Sequence, residues 1–173
     1  CHDCHGGDPS AFETPAAHSG AFRGALGKLE TVEVCSSCHG DPDQMRQYGL
    51  PADEIAELRT SRHGQLLLDD GNLDAPTCSD CHDPHTTLRP DDARSGVHPT
   101  NISATCARCH DDEALMAPYG IPTGQVEAHR NSAHGIALYD EENFAAPTCV
   151  GCHGSHAALP PNVDEISNVC GRC

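Results

Sequence analysis

Hydrophobic positions along this chain follow neither of the two regular spacings that predict long secondary-structure elements. Runs with a helical period of about 3.6 residues or a strand period of 2 are short, and 13 Pro and 16 Gly interrupt the 173 residues. The clearest helical pattern covers residues 51–64, where acidic residues occupy the first turn and Gly64 is expected to stop the helix. A second copy of this pattern covers residues 122–135. We therefore predict mostly irregular coil with short α-helices and little or no sheet.

The two helical patterns belong to an internal repeat with a period of 71 residues. The segment CSSCHGDPDQMRQYGLP at 35–51 returns as CARCHDDEALMAPYGIP at 106–122. The segment APTCSDCHDPHTTL at 75–88 returns as APTCVGCHGSHAAL at 146–159. A recurrence this long indicates one structural unit that is used more than once.

This repeat also suggests how the chain is organised. Residues 1–34 resemble the second half of an earlier repeat followed by an irregular linker. We therefore expect a partial repeat at 1–34, a full repeat at 35–105, and a further repeat at 106–173 that closes with the start of another motif.

The apolar side chains are too few for a conventional core. Only 37% of the residues are hydrophobic, 3% are aromatic and none is Trp. A chain of this length buries a modest share of its surface even with an ordinary apolar content. We therefore expect that something other than side chains fills the interior, and the 12 Cys and 13 His indicate what it is.

Every cysteine belongs to a Cys-x-x-Cys pair, and none is left over. The pairs are Cys1/Cys4, Cys35/Cys38, Cys78/Cys81, Cys106/Cys109, Cys149/Cys152 and Cys170/Cys173. In five of the six pairs the next residue is a histidine, namely His5, His39, His82, His110 and His153. Cys-x-x-Cys-His is the attachment motif of c-type haem. Zinc sites also use Cys-x-x-Cys but need no histidine after each pair, and a disulfide scaffold explains only the even count.

The haem interpretation explains both the spacing and the thin core. Each cysteine adds its sulfur across one vinyl group of the haem, and the histidine that follows lies under the iron as its proximal ligand. About 29 residues per motif can then suffice, because the haems themselves form the core. We predict five haems c at the complete motifs and a sixth at Cys170/Cys173.

With these motifs the whole chain resembles multihaem c-type cytochromes with doubled CxxCH motifs. That class includes periplasmic multihaem electron carriers and the subunits of extracellular cytochrome filaments. The resemblance implies covalent haem attachment outside the cytoplasmic membrane. We therefore expect an exported protein, periplasmic or extracellular, whose export segment is not part of this sequence.

Each repeat contains two further histidines at equivalent positions. The number of candidate distal ligands in a repeat therefore equals the number of haems expected there. The four residues are His63 and His85 in the first repeat and His134 and His156 in the second. Residues three apart on a helical turn share one side, so His82 and His85 cannot bind one iron from opposite faces. The second histidine of each such pair is therefore free to serve a neighbouring haem. We predict bis-His coordination.

Four histidines have no partner in the repeat. His18 and His98 lie in small-residue segments, and we expect both to be distal ligands. His2 and His129 fit surface or packing positions better. Met45 and Met116 raise the alternative of His/Met ligation, although buried packing is the more usual role of methionine.

The charge of the chain bears on its partners. The formal net charge is −16, with 26 acidic and 10 basic residues, and the haem propionates add to it. Such a surface repels nucleic acid and anionic membranes, and it serves solubility as readily as it attracts a basic redox partner. No apolar run reaches the length of a membrane span. The acidic loops at 68–74 and 139–144 lack calcium-loop spacing and are expected to be solvated.

Together these features favour electron transfer without a catalytic residue. Two versions stay open: a conduit in an extracellular filament or redox assembly, where a histidine of one copy can ligate a haem of the next, and a periplasmic carrier or subunit of a larger complex. The expected partners are accordingly other redox proteins or copies of the chain itself. A multihaem reductase or oxidase with an open iron position is the weaker alternative, since eight candidate distal histidines exceed the five complete motifs.

Overall fold

The computed structural model of the protein describes residues 1–160, 164 and 166–171. In this part of the chain, short helices are joined by turns and irregular segments, and no strand occurs. The predicted fold class is confirmed. Cys173, one of the predicted attachment residues, lies outside the described residues.

The helices follow one another in chain order at short intervals. The α-helices are α1 (His2–His5), α2 (Thr14–Ala17), α3 (Lys28–His39), α4 (Pro42–Arg46), α5 (Glu54–Thr60), α6 (Arg62–Gly64), α7 (Cys78–Cys81), α8 (Pro99–His110), α9 (Glu113–Met116), α10 (Gln125–Arg130), α11 (Ala133–Tyr139), α12 (Cys149–His153) and α13 (Ile166–Cys170). A π-helical turn covers Gln65–Asp69, and a 3₁₀ turn covers Ala117–Tyr119.

The chain forms two compact units, Cys1–Ile55 and Ala56–Cys173. In the first unit, α3 begins where the Glu30 carboxylate accepts a hydrogen bond from the Gly27 backbone N–H at 2.8 Å. The next helix, α4, begins where Asp41 accepts from the N–H groups of Asp43 and Gln44. Both contacts satisfy donors that a helix start leaves unpaired. The boundaries predicted from the repeat, at 34/35 and 105/106, stay predictions.

In the second unit, α8 is the central helix and contacts α9, α10, α11 and α12. His98 caps its start by accepting from the Thr100 N–H. The Tyr139 hydroxyl in α11 donates to Ser103 Oγ in α8 at 2.9 Å. The Arg130 guanidinium lies 4.6 Å above the Tyr139 ring, a cation–π contact. Polar and aromatic contacts thus fasten α10 and α11 onto α8 in a region with few apolar side chains.

The helix predicted over residues 51–64 is divided in two, and the expectation that Gly64 ends it is wrong. Ser61 breaks the helix, because its hydroxyl donates to the Leu58 carbonyl at 2.7 Å and accepts from the Gly64 N–H at 2.9 Å. Gly64 therefore belongs to the first turn of the next helix, α6. In the second repeat Ser132 makes the same kind of contacts at the start of α11, and Gly135 lies within that helix.

The buried side chains follow the 71-residue repeat. Leu67 and its equivalent Leu138 are completely buried. The equivalent pairs Met45 and Met116, Ala75 and Ala146, and Thr77 and Thr148 are also buried. Burial is therefore repeated at equivalent positions, and the burial of Met45 and Met116 agrees with the packing role that methionine usually takes.

Among the described residues, no helix combines the length and the apolar character needed to cross a membrane.

The two buried leucines provide a test of this small core. Leu67→Ala and Leu138→Ala should each destabilise the protein by about 2–5 kcal/mol, because each deletes buried methyl groups and leaves a cavity. Leu73, whose side chain is 61% exposed, supplies the control: Leu73→Ala should change the midpoint of chemical denaturation little. Equal shifts for all three variants would show that the buried pair contributes no core.

Candidate haem-binding sites

The attachment motifs lie on helical turns. The first motif of each repeat ends a 12-residue helix, α3 or α8, whereas the second motif forms the short helix α7 or α12. Because residues three apart share one side of a helix, the two sulfurs of a motif point the same way. Thr77 and Thr148, both buried, precede the two short helices. Helical motifs thus present each thiol pair to one ligand surface.

The cysteines of the motifs differ in exposure. The first cysteine is half-buried in the four complete motifs of the two repeats, and so is one second cysteine; these are Cys35, Cys78, Cys106, Cys149 and Cys109. The other described cysteines are exposed, namely Cys1, Cys4, Cys38, Cys81, Cys152 and Cys170. The first thiol of a motif therefore faces the body of the protein more often than the second.

The exposure of Cys4, Cys38 and Cys152 differs from the interior position expected of attachment residues around a haem core. Each lies one residue before the end of its helix, α1, α3 or α12, where few neighbouring segments cover the side chain. Surrounding side chains alone do not enclose these three thiols. Their roles in haem attachment, like those of the other cysteines, stay predictions from the motif.

Two proximal histidines are already oriented by their backbone partners. His5 Nδ1 lies 3.1 Å from the Arg23 carbonyl oxygen and 3.0 Å from that of Gly24. His153 Nδ1 lies 3.2 Å from the Leu159 carbonyl oxygen. A carbonyl can only accept, so Nδ1 carries the proton in both rings and Nε2 carries the lone pair. This is the tautomer that binds a metal through Nε2.

Three motifs of the second unit come together. The Arg108 guanidinium, between the cysteines of one motif, donates to the backbone carbonyl of Asp80, between the cysteines of another. Cys149 Sγ lies 3.8 Å from Ser103 Oγ in α8, the helix that carries Cys106. These contacts join the motifs that begin at Cys78, Cys106 and Cys149.

The thiol pKa values report the same proximity. The hydrogen bond to Cys149, and then burial, raise the pKa of Cys106, while the same hydrogen bond lowers the pKa of Cys149 to about 5. Cys81 keeps an exposed edge, but burial on its inner side raises its pKa, and nearby Cys109 raises it further.

Two pairs of predicted ligands have neighbouring rings in the second unit. The ring centroids of His63 and His110 are 6.1 Å apart, with 49° between the ring planes. Those of His82 and His156 are 6.2 Å apart, with 25° between the planes. Burial lowers the pKa of His63, and the neighbouring His110 lowers it further, which favours the neutral imidazole that metals bind.

The position of His63 depends on a tight turn that the sequence pattern did not reveal. Ser61 caps α6 through Gly64, and a methyl group at Gly64 would meet the Leu58 carbonyl oxygen. The signal was available in the sequence, because Ser-x-His-Gly occurs at equivalent places in both repeats, but glycine was interpreted as a helix stop. Ser61 and Gly64, like Ser132 and Gly135, are therefore positioning residues for the histidine between them.

The other predicted ligands are placed separately. In the first unit, His18 stacks on Phe22 with centroids 3.9 Å apart, and Phe22 lies 6.4 Å from His5. His39 and His134 are exposed. His85 follows a turn in which its N–H donates to Asp83, and the His98 ring lies 5.5 Å from that of Phe144. The ligand roles of these five histidines, namely His18, His39, His85, His98 and His134, stay predictions.

Two histidines that were not expected to be ligands have backbone partners. His129 Nε2 donates to the Pro147 carbonyl at 3.0 Å, and His2 Nδ1 lies 3.1 Å from the Gly7 carbonyl oxygen. The Tyr119 hydroxyl donates to Asp74 and accepts from Asn72, whereas its repeat equivalent Tyr48 is 73% exposed. Within the described ranges, no group of three or more His, Cys, Asp or Glu side chains is arranged to hold a bare metal ion.

The cysteine and histidine side chains fit haem c. Thiol pairs lie on helical turns, an imidazole follows each complete pair, and a further imidazole lies close to two of these imidazoles. Residues 71–115 match the family model described as the doubled CXXCH motif, which spans the motifs that begin at Cys78 and Cys106. This match supports a multihaem c-type cytochrome. No significant match to a curated protein or to a solved structure was found.

The turn at His63 provides a test of ligand positioning in this protein. Gly64→Ala should destabilise the turn by about 1–3 kcal/mol, because the added methyl group overlaps the Leu58 carbonyl. Displacement of His63 should also convert one haem of the purified protein from low to high spin, seen in its visible and paramagnetic resonance spectra. Leu73→Ala, at an exposed side chain, is the control; an unchanged spin state in Gly64→Ala would remove the positioning role.

Proposed function

We propose that this multihaem cytochrome transfers electrons through a chain of closely spaced, covalently bound haems c whose irons each have two histidine ligands. The observation that carries this proposal is the meeting of three attachment motifs in the second unit. The doubled CXXCH motif supports a haem c electron-transfer protein in general. Bound haem supplies one-electron chemistry, and the chain supplies attachment, axial ligands and spacing.

The contacts between motifs support short distances between haems. Cys106 and Cys149 would each form a thioether to a vinyl group of a different haem, and Cys149 lies against the helix that carries Cys106. The Arg108 contact with the Asp80 carbonyl brings the motifs of Cys78 and Cys106 together as well. Haems attached at these motifs would be separated by little protein, as electron hopping requires.

The ligand supply supports transfer in preference to catalysis. Two imidazoles saturate the axial positions of an iron and leave no position for a substrate. His110 and His82 each have a second imidazole about 6 Å away. We therefore propose that the protein is not an enzyme, and that high-spin iron is absent from the native form.

We further propose that the cytochrome works as a conduit in an extracellular filament or another redox assembly. The repeat supports this version, because the same spacing of haems can continue from one copy of the repeat to the next. Exposed His39 and His134 support it as well, since an exposed imidazole is accessible to a haem or a ligand from another copy. The alternative is an exported carrier or a subunit of a larger complex, in which the acidic surface steers a basic redox partner.

Removal of the haem attached at Cys106 and Cys109 tests the conduit. The double variant Cys106→Ala/Cys109→Ala should lose one haem by mass and should slow electron exchange among the remaining haems of the second unit. The exchange is measured by following haem absorbance after flash photoreduction. The matched variant Cys1→Ala/Cys4→Ala removes a haem from the first unit and should leave that exchange unchanged. Equal rates in both variants would contradict a cluster centred on these motifs.

Assembly is tested separately by electron microscopy of the native protein. Filaments with a regular subunit repeat would support the conduit version. Discrete particles at the same concentration would favour the carrier or complex subunit.

A further inference from the structure

We propose that the two repeats exchange distal haem ligands, so that each repeat completes a haem site of the other. In this assignment His63, from the first repeat, binds the iron of the haem whose proximal ligand is His110. His156, from the second repeat, binds the iron of the haem whose proximal ligand is His82. The proposal rests on the proposed function, because it concerns the same haems, and it assigns the partner of each iron.

The separation of the rings carries the assignment. An imidazole nitrogen binds a metal at about 2.0–2.1 Å, and that nitrogen lies about 1.1 Å from its ring centroid, given ring bonds of about 1.33 Å. Two imidazoles on opposite faces of one iron therefore have centroids about 6.3 Å apart. The observed separations are 6.1 Å for His63 and His110 and 6.2 Å for His82 and His156.

Ordinary aromatic packing also spans about 4.5–7 Å between centroids, so the identity of the partners matters. In both pairs one ring is the histidine of an attachment motif, and the other is a histidine that the repeat marks as a spare ligand. The two pairs use different elements, α6 with α8 and α7 with the segment after α12. The same spacing at two independent places is what shared axial coordination requires.

The surroundings of His156 support binding through Nε2. Its Nδ1 lies 3.7 Å from the Glu57 carboxylate oxygen, within reach of electrostatic attraction for a protonated Nδ1. The contact is longer than a hydrogen bond, and the negative charge of the carboxylate favours the tautomer with the proton on Nδ1. Glu57 belongs to the first repeat, as does His82, so both contacts of His156 cross the boundary between repeats.

The chain around each spare ligand explains why it does not serve its nearest motif. His156 follows His153 by three residues but lies beyond the end of α12, and its ring lies beside that of His82. His63 is held on α6 by the Ser61 turn and faces α8. Exchange also has a mechanical consequence: removal of either haem should loosen the packing of one repeat on the other.

The test uses methionine as a reporter ligand in the holoprotein. A His/Met iron has a higher reduction potential than a bis-His iron, so His63→Met should raise the potential of one haem in a redox titration. The same substitution in the background Cys106→Ala/Cys109→Ala, which lacks the haem of His110, should shift none of the remaining haems. His156→Met should behave in the same way with the background Cys78→Ala/Cys81→Ala.

A matched control comes from the repeat itself. His134 is the equivalent of His63, and the effect of His134→Met should be the same in the Cys106→Ala/Cys109→Ala background as in the native one. Persistence of the His63→Met shift in that background would overturn the exchange. If the mass of the native protein showed that it carries no covalently bound haem, that result would instead overturn the proposed function.

A crystal structure of the native holoprotein tests the same assignment without any substitution. The assignment can therefore be tested even if a variant does not fold. The expected result is Nε2 of His63 and Nε2 of His110 on opposite faces of one iron. The same arrangement is expected for His156 and His82. Any other partner for either iron would refute the exchange.

Discussion

A helical turn that carries two cysteines and a histidine imposes the constraint on which the rest of this structure depends. In each complete motif the two cysteines lie three residues apart at a helical turn and a histidine follows directly, which is the spacing typical of c-type haem attachment. Eight hydrophobic side chains make up the buried apolar set of the described chain, which is few for a protein of this length. The segments between the motifs are therefore short connections that bring helical turns together, and polar contacts such as Arg108 with Asp80 hold those turns in place.

The same constraint explains why the repeat is visible in both the sequence and the core. Buried positions such as Leu67 and Leu138 recur at the repeat spacing because each repeat must present its motifs in the same way. Surface positions are under no such requirement. Tyr119 is fixed by Asn72 and Asp74, whereas its equivalent Tyr48 points to solvent. Residues at equivalent positions of the two repeats are therefore equally buried where they support the motifs, and their burial can differ at the surface.

The sequence was sufficient for the short helices, the absence of sheet in the described residues and the cysteine–histidine chemistry, because all three depend on local spacing. It was not sufficient for the turn at Ser61, because a glycine after a helical run is compatible with a helix stop and with the first turn of a new helix. Only the hydrogen bonds of the serine decide between them. Nor does local spacing reveal which thiols the fold covers, since Cys35 is half-buried and Cys38 of the same motif is exposed. The partners of His63 and His156 likewise depend on contacts between distant segments, so counting ligands within one repeat could give their number and not their pairing.

Electron paramagnetic resonance of the oxidised holoprotein, with the haem number taken from its mass, tests the central claim most directly. If histidines occupy both axial positions of every iron, the spectrum contains only low-spin ferric haem, in an amount that accounts for all the covalent haem. A stoichiometric high-spin ferric signal from intact protein would show an iron with an open axial position. That result would contradict electron transfer through saturated haems and would favour a catalytic site.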